Sequence, residues 1–145
     1  MSFQRVLIAL DLSPISTHAM DVGVDLAKAV GAQIGLVYVV DRKLAYAPDG
    51  GVAASVIVDE LRDEGRRLLK AASHRVGDDP PPWEYLVEGS PSPEIIKAAE
   101  EWKADLIVLG THGRSGVSRA FLGSTAEAVL RHSQIPVLVV RAAPQ

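Results

Sequence analysis

Short unbroken apolar runs alternate along this chain with longer stretches in which apolar residues return every three or four positions. A run of four to eight apolar residues fits a strand covered on both faces, and the three-to-four spacing fits a helix with one buried stripe. Arg5-Val-Leu-Ile-Ala-Leu10 is the first such run, and it ends in the turn-forming Asp11-Leu-Ser-Pro14. From Ala19, small or apolar residues at Val22, Gly23, Leu26, Ala27 and Val30 predict a helix that stops at Gly31, a residue suited to a helix C-terminus. Gln33-Ile-Gly-Leu-Val-Tyr-Val-Val40 is β-branched and strand-like, and it closes at Asp41.

Arg42 to Gly51 reads as a loop, after which Ala54, Ile57, Val58, Leu61, Leu68, Leu69, Ala72 and Val76 repeat at helical spacing. The helix cannot continue through Gly77-Asp-Asp-Pro-Pro-Pro82, because proline lacks the amide and clashes with the preceding turn, so this stretch reads as a rigid surface connector. Trp83-Glu-Tyr-Leu-Val-Glu88 alternates as a more exposed edge strand. Gly89-Ser-Pro-Ser-Pro93 then offers hydroxyl caps and a proline at a helix start, ahead of Ile95, Ala98, Ala99 and Trp102 on one face. Leu106 to Leu109 is a fourth strand, Leu122, Ala126, Val129 and Leu130 mark a last helix, and Pro136-Val-Leu-Val-Val140 a last strand.

This βαβαβαβαβ alternation defines an α/β class: one five-stranded parallel sheet, doubly wound, with helices on both faces because right-handed crossovers place them there. At 145 residues and 48% apolar residues, the chain forms one domain with a real core, residues 1–145. Ligands of such sheets lie beyond the C-terminal strand ends, where the strand order reverses. Asp11, Val39 and Gly110 all fall at strand ends, so they converge although far apart in sequence.

Charge and composition narrow the function. A net charge of -3 and a pI near 5.8 argue against a general nucleic-acid or anionic-membrane binder, since both rely on a large positive surface. Without cysteine there is no disulfide frame, zinc-thiolate site or thiol nucleophile. The first residues carry no basic segment followed by a long apolar stretch, and no apolar run approaches the ~18 residues a membrane span requires. A soluble, cytoplasmic protein is the expectation.

The densest chemistry lies between Gly110 and Thr125, where four glycines, two arginines and several hydroxyls separate the fourth strand from the last helix. Backbone amides at a strand-to-helix junction can cradle phosphate. Three standard patterns are absent. No Gly-x4-Gly-Lys-Ser/Thr exists, no Gly-x-Gly-x-x-Gly follows the first strand, and there is no Gly-x-Ser-x-Gly elbow. What remains is Gly110-x2-Gly113-x9-Gly123-Ser124.

Joined to Asp11, to the five-unit alternation and to the terminal Leu-Arg131-His-Ser-Gln-Ile-Pro136-Val-Leu-Val-Val140, that motif resembles the universal stress protein family in its ATP-binding branch, over Arg5 to Arg141. The resemblance implies a Rossmann-like strand order 3-2-1-4-5 and a site for ATP or another adenine nucleotide, with Mg2+ carried on the phosphates. It places Asp11 at the adenosine and the backbone of Val39 at adenine. It wraps Gly110, Gly113, Gly123, Ser124 and Thr125 around ribose and phosphates. It further implies a homodimer through Val137, Leu138, Val139 and Val140. A short apolar last strand, if it lies at a sheet edge, must in any case be covered or paired.

The residues support the site on their own chemistry. Amides of Gly123, Ser124 and Thr125 at a helix N-terminus would face an anion, and the two hydroxyls add donors without bulk. Gly110 and Gly113 permit close approach and positive φ. Arg114, and less so Arg119, would neutralise phosphate. One departure stands out: many relatives place glycine and serine after the first aspartate, whereas Leu12-Ser13-Pro14 follows here and Leu12 is expected to narrow the loop.

Blander readings stand beside these. Asp11 also suits the start of the first helix, and His112, a lone loop histidine, has no partner at a catalytic spacing. His18, His74 and His132 are too scattered for a metal site, and two Trp, three Tyr and two Phe are too few for a single-strand nucleic-acid platform. Glu60, Arg62, Asp63, Glu64, Arg66 and Arg67 form a solvated helix face. Three functions remain: a dimeric nucleotide-dependent stress-response protein, a slow ATPase or adenylate-transferring enzyme on the same site, and an interaction module without nucleotide. With neither a Walker lysine nor a convincing base, phosphoryl transfer lacks its usual parts.

Overall fold

Val6, Leu7 and Ile8 are wholly buried, as a run covered on both faces requires, and they belong to the central strand of the sheet. The computed structural model describes residues 2–45, 54–111 and 122–141. Its elements are β1 (Arg5–Leu10), α1 (Pro14–Val30), β2 (Gln33–Asp41), a 3-10 turn (Arg42–Ala45), α2 (Ala54–Val76), β3 (Trp83–Gly89), α3 (Pro91–Trp102), β4 (Leu106–Gly110), α4 (Ser124–His132) and β5 (Val137–Val140). All neighbouring strands are parallel, in the order β3-β2-β1-β4-β5, which leaves β3 and β5 as the two edges.

Alternate strand residues feed two cores. Val6, Ile8 and Leu10 point to α1 and α2, meeting Met20, Val24, Leu61 and Leu69. Leu7, Ala9 and Val37 point the other way, to Ile95 and Ala98 of α3 and Ala126 and Val129 of α4. Each large apolar side chain so buried stabilises the fold by ~1.5–3 kcal/mol. At the bottom of the sheet, the Asp105 carboxylate accepts from the backbone amides of Gln4 and Arg5 at 2.8 and 3.1 Å, tying the start of β1 to that of β4.

Local chemistry explains the boundaries. α1 begins at Pro14, earlier than its apolar stripe suggested, because Ser13 caps it: the Ser13 hydroxyl accepts from Ser16 N–H at 3.4 Å and proline occupies the first turn. Its end at Gly31 has the expected left-handed backbone, φ 73°. α3 differs from the hydroxyl-capped start expected of it. Ser90 is its N-cap residue, yet the side chain makes no capping hydrogen bond, and proline in the first turn sets the helix instead. The helix closes on Lys103 at φ 62°, a left-handed cap without glycine.

Candidate functional site

Every strand runs the same way, so the C-terminal ends of β1, β2 and β4 meet at one rim, between the N-termini of α3 and α4. There the molecule holds a cleft of about 230 Å3. Ala9, Leu10 and Leu109 give it an apolar floor, and Pro91 and Ile95 of α3 with Ala126 of α4 line it from the helix side. The order reverses at β1, with β2 on one side and β4 on the other, so the cleft sits at the topological switch point.

Five of the residues singled out from sequence line this cleft together: Asp11, Val39, Gly110, Ser124 and Thr125. Gly123 lies next to them as the N-cap residue of α4. Gly113 and Arg114 lie outside the described residues, as do His112 and Arg119.

Asp11 is held by the turn that follows it. Its Oδ1 accepts from Ser13 N–H at 2.7 Å, and its own amide donates to the Ser16 hydroxyl at 2.8 Å. Ser13, not Asp11, is the cap of α1, so the aspartate shapes the turn and lines the cleft at the same time. Leu12 lines the cleft too.

Two expectations about backbone are corrected. Gly110 is not among the positive-φ glycines, which within the described residues are Gly31, Gly77 and Gly89. Its missing side chain is required by packing instead, since a Cβ there would stand 2.7 Å from Cγ2 of Ile15. The Gly123 amide is also not available to an anion, because it donates to the Thr111 carbonyl. Thr111 in turn donates its amide to the Val140 carbonyl at 3.0 Å, so one residue ties the end of β4 both to α4 and to β5.

The amides of Ser124, Thr125 and Ala126 occupy the first turn of α4, where no i−4 carbonyl exists within the helix; the first helical bond comes from Glu127 to Gly123 at 2.9 Å. These amides and the helix dipole favour an anion at that end. At the β1 and β2 end the lining carries two carboxylates, Asp11 and Asp41. No Lys, Arg or His is among the described lining residues. Among the described residues no group of three or more His, Asp or Glu could hold a metal ion.

Sequence reasoning missed Asp41, Pro91 and Ile95 as members of the site. Asp41 was read only as the close of β2, and Pro91 and Ile95 only as helix start and helix core. The signal was that Asp41 and Gly89 each close a strand of one parallel sheet, so both must stand at the C-terminal rim; the structure pairs them directly, Asp41 opposite Gly89.

A doubly wound parallel sheet ordered 3-2-1-4-5, with a cleft at its switch point, defines a Rossmann-like α/β domain. The chain belongs to the universal stress protein family, whose model matches residues 2–141. It is similar to universal stress protein MJ0531 of Methanocaldococcus jannaschii, 34% identical over 96% of this chain and 82% of that protein. Among solved structures it resembles universal stress protein UspA from Lactobacillus plantarum, 25% identical over 97% of this chain and 99% of the other, with a TM-score of 0.85. It also resembles a universal stress protein in complex with cAMP, 27% identical over 99% of this chain and 100% of the other, with a TM-score of 0.74.

Proposed function

We propose that this chain is a nucleotide-dependent regulatory protein of its family, which takes an adenine nucleotide into the cleft between β1, β2, β4 and α4. The observation that carries the reading is the convergence of Asp11, Val39, Gly110, Ser124 and Thr125 on one concave, apolar-floored rim. A family relative in complex with cAMP supports the same ligand class.

Charge sets the direction of the ligand. Phosphates lie toward Ser124 and Thr125, at the dipole-positive end of α4, and the nucleoside lies toward Asp11 and Val39, away from phosphate charge. Asp11 accepts from a ribose hydroxyl, Val39 meets the base through its backbone, and Gly110 lines the cleft on the β4 side of Asp11. Gly113 and Arg114 join this reading from sequence alone, Arg114 as the counter-charge that the described lining does not supply. With no carboxylate cage on the described residues, Mg2+ accompanies a polyphosphate ligand on its phosphates and waters.

β5 supports a homodimer. It is an edge of the sheet, Val137, Leu138 and Val139 are only part-buried, and Leu130 on the adjoining α4 is 42% exposed. A second copy paired along Val137 to Val140 would cover this apolar edge by an isologous contact. Nucleotide would then act by shifting conformation or partner choice, without turnover. The test of the ligand reading is a thermal-shift series with ATP, AMP and cAMP on the purified protein, in which at least one must raise the melting temperature; none doing so contradicts it.

A further inference from the structure

Asp41 is the charged residue of the described cleft lining that neither the motif nor the phosphate end accounts for. It ends β2, lines the cleft and is part-buried, and its Oδ1 accepts from Lys43 N–H at 3.0 Å. That bond fixes the side chain at the start of the 3-10 turn and uses only part of the carboxylate's accepting capacity, which amounts to about four lone-pair directions on two oxygens.

The sheet supplies a ruler. β2 and β4 lie on either side of β1, two interstrand spacings or about 10 Å apart. If phosphate sits beyond β4 against α4, the far end of the nucleoside reaches β2. Asp11 stands beyond β1, between these ends, and Asp41 beyond β2. Beside the backbone of Val39, the side chain that meets the outer edge of the base is therefore a carboxylate, that of Asp41.

A carboxylate can only accept hydrogen bonds. A base edge that presents a lone pair to it gains nothing and leaves two acceptors facing each other, whereas an amino group is matched. We propose, resting on the nucleotide reading above, that Asp41 is a specificity-determining residue of the cleft, which selects a purine carrying N–H donors on its outer edge, the 6-amino group of adenine in the first place. The donors of guanine are the other source of the same chemistry. The selection is a rejection as much as an attraction, because a base without the donor leaves a part-buried carboxylate facing a group that cannot pair with it.

The experiment compares the affinities of ATP, purine riboside triphosphate (which lacks only the 6-amino group) and GTP for the wild type and for Asp41→Asn. Asparagine keeps an oxygen for Lys43 and the shape of the turn, and an unchanged melting temperature of the free protein checks that it does. The wild type is expected to bind ATP about tenfold or more tightly than the deamino analogue. In Asp41→Asn that ratio falls toward one, mainly through weaker ATP binding. A ratio that stays the same in the variant overturns the role of Asp41 while leaving the nucleotide site intact. A preference for GTP that is lost in the variant upholds the role of Asp41 and identifies guanine as the source of the donors. If no nucleotide binds the wild type, the nucleotide reading itself fails and the selection falls with it.

Discussion

Gly110 at the end of β4 lies so close beneath Ile15 of α1 that a Cβ would stand 2.7 Å from its Cγ2. This contact joins the first turn of α1 to the floor of the cleft. Gly110→Ala should therefore push α1 away from β4 and lower stability by ~1–3 kcal/mol, the usual cost of overpacking. Denaturant unfolding measures it. Combining it with Ile15→Ala should recover part of the loss, since Cγ2 goes with the truncated side chain; strictly additive losses would contradict the contact.

Gly35 makes a comparable demand on the other face. Its Cβ would lie 2.8 Å from Cζ3 of Trp102, which stacks on Trp83 at 5.3 Å between ring centroids, while Trp83 stacks on Tyr85 at 5.2 Å. Gly35→Ala should cost ~1–3 kcal/mol and change tryptophan fluorescence, because the indole pair must part. A stable variant with an unaltered spectrum would show that the stack gives way freely.

The hydrogen bonds of β5 make the dimer testable without disturbing the fold. Ile107 and Thr111 of the β4 side donate to the carbonyls of Pro136 and Val140, at 2.9 and 3.0 Å. Strand residues alternate, so Val137 and Val139 present their amides and carbonyls to the free edge. Val139→Pro deletes one outward amide and no bond to β4, a placement an edge strand tolerates. Sedimentation should find the wild type dimeric at micromolar concentration and this variant shifted to monomer, with a native circular dichroism spectrum in both. A monomeric wild type contradicts the proposed assembly.

Gly123 offers a way to block the anion end while sparing the scaffold. Its φ of -63° and ψ of 157° suit any residue, and its amide bond to Thr111 uses no side chain. Gly123→Val should fold, with a capping loss of ~1 kcal/mol, and place a branched side chain at the first turn of α4 in the path of the phosphates. The ATP-induced rise in melting temperature should disappear. A retained rise would mean that phosphate does not approach α4.

The elements and the parallel α/β class were legible because both rhythms are local: the buried runs and the helical stripes can be counted in sequence, and the right-handed crossover puts helices on both faces. The strand order 3-2-1-4-5, by contrast, came from the resemblance to the universal stress protein family. The cap of α1 was less visible, since Ser13 and Ser16 act through hydroxyls and carry no apolar periodicity. In the site, Gly110, Ser124 and Thr125 could be named because they stand at a strand end or a helix start beside a glycine motif, whereas Asp11 and Val39 stand near strand ends but were given their roles by the family resemblance. The reason for Gly110 could not, because Ile15 reaches it only in three dimensions. Nor could the use of the Gly123 amide by Thr111, a bond between residues far apart in sequence. Asp41, Pro91 and Ile95 were hidden because each already had a sufficient local role.

Nucleotide occupancy is measured by mass spectrometry of small molecules released when the purified protein is denatured, paired with calorimetric titration of ATP, AMP and cAMP into nucleotide-stripped protein. An adenine nucleotide should be released or should bind at one site per chain, and Gly123→Val should lose it. Empty protein that binds none of the three would contradict a nucleotide-dependent function.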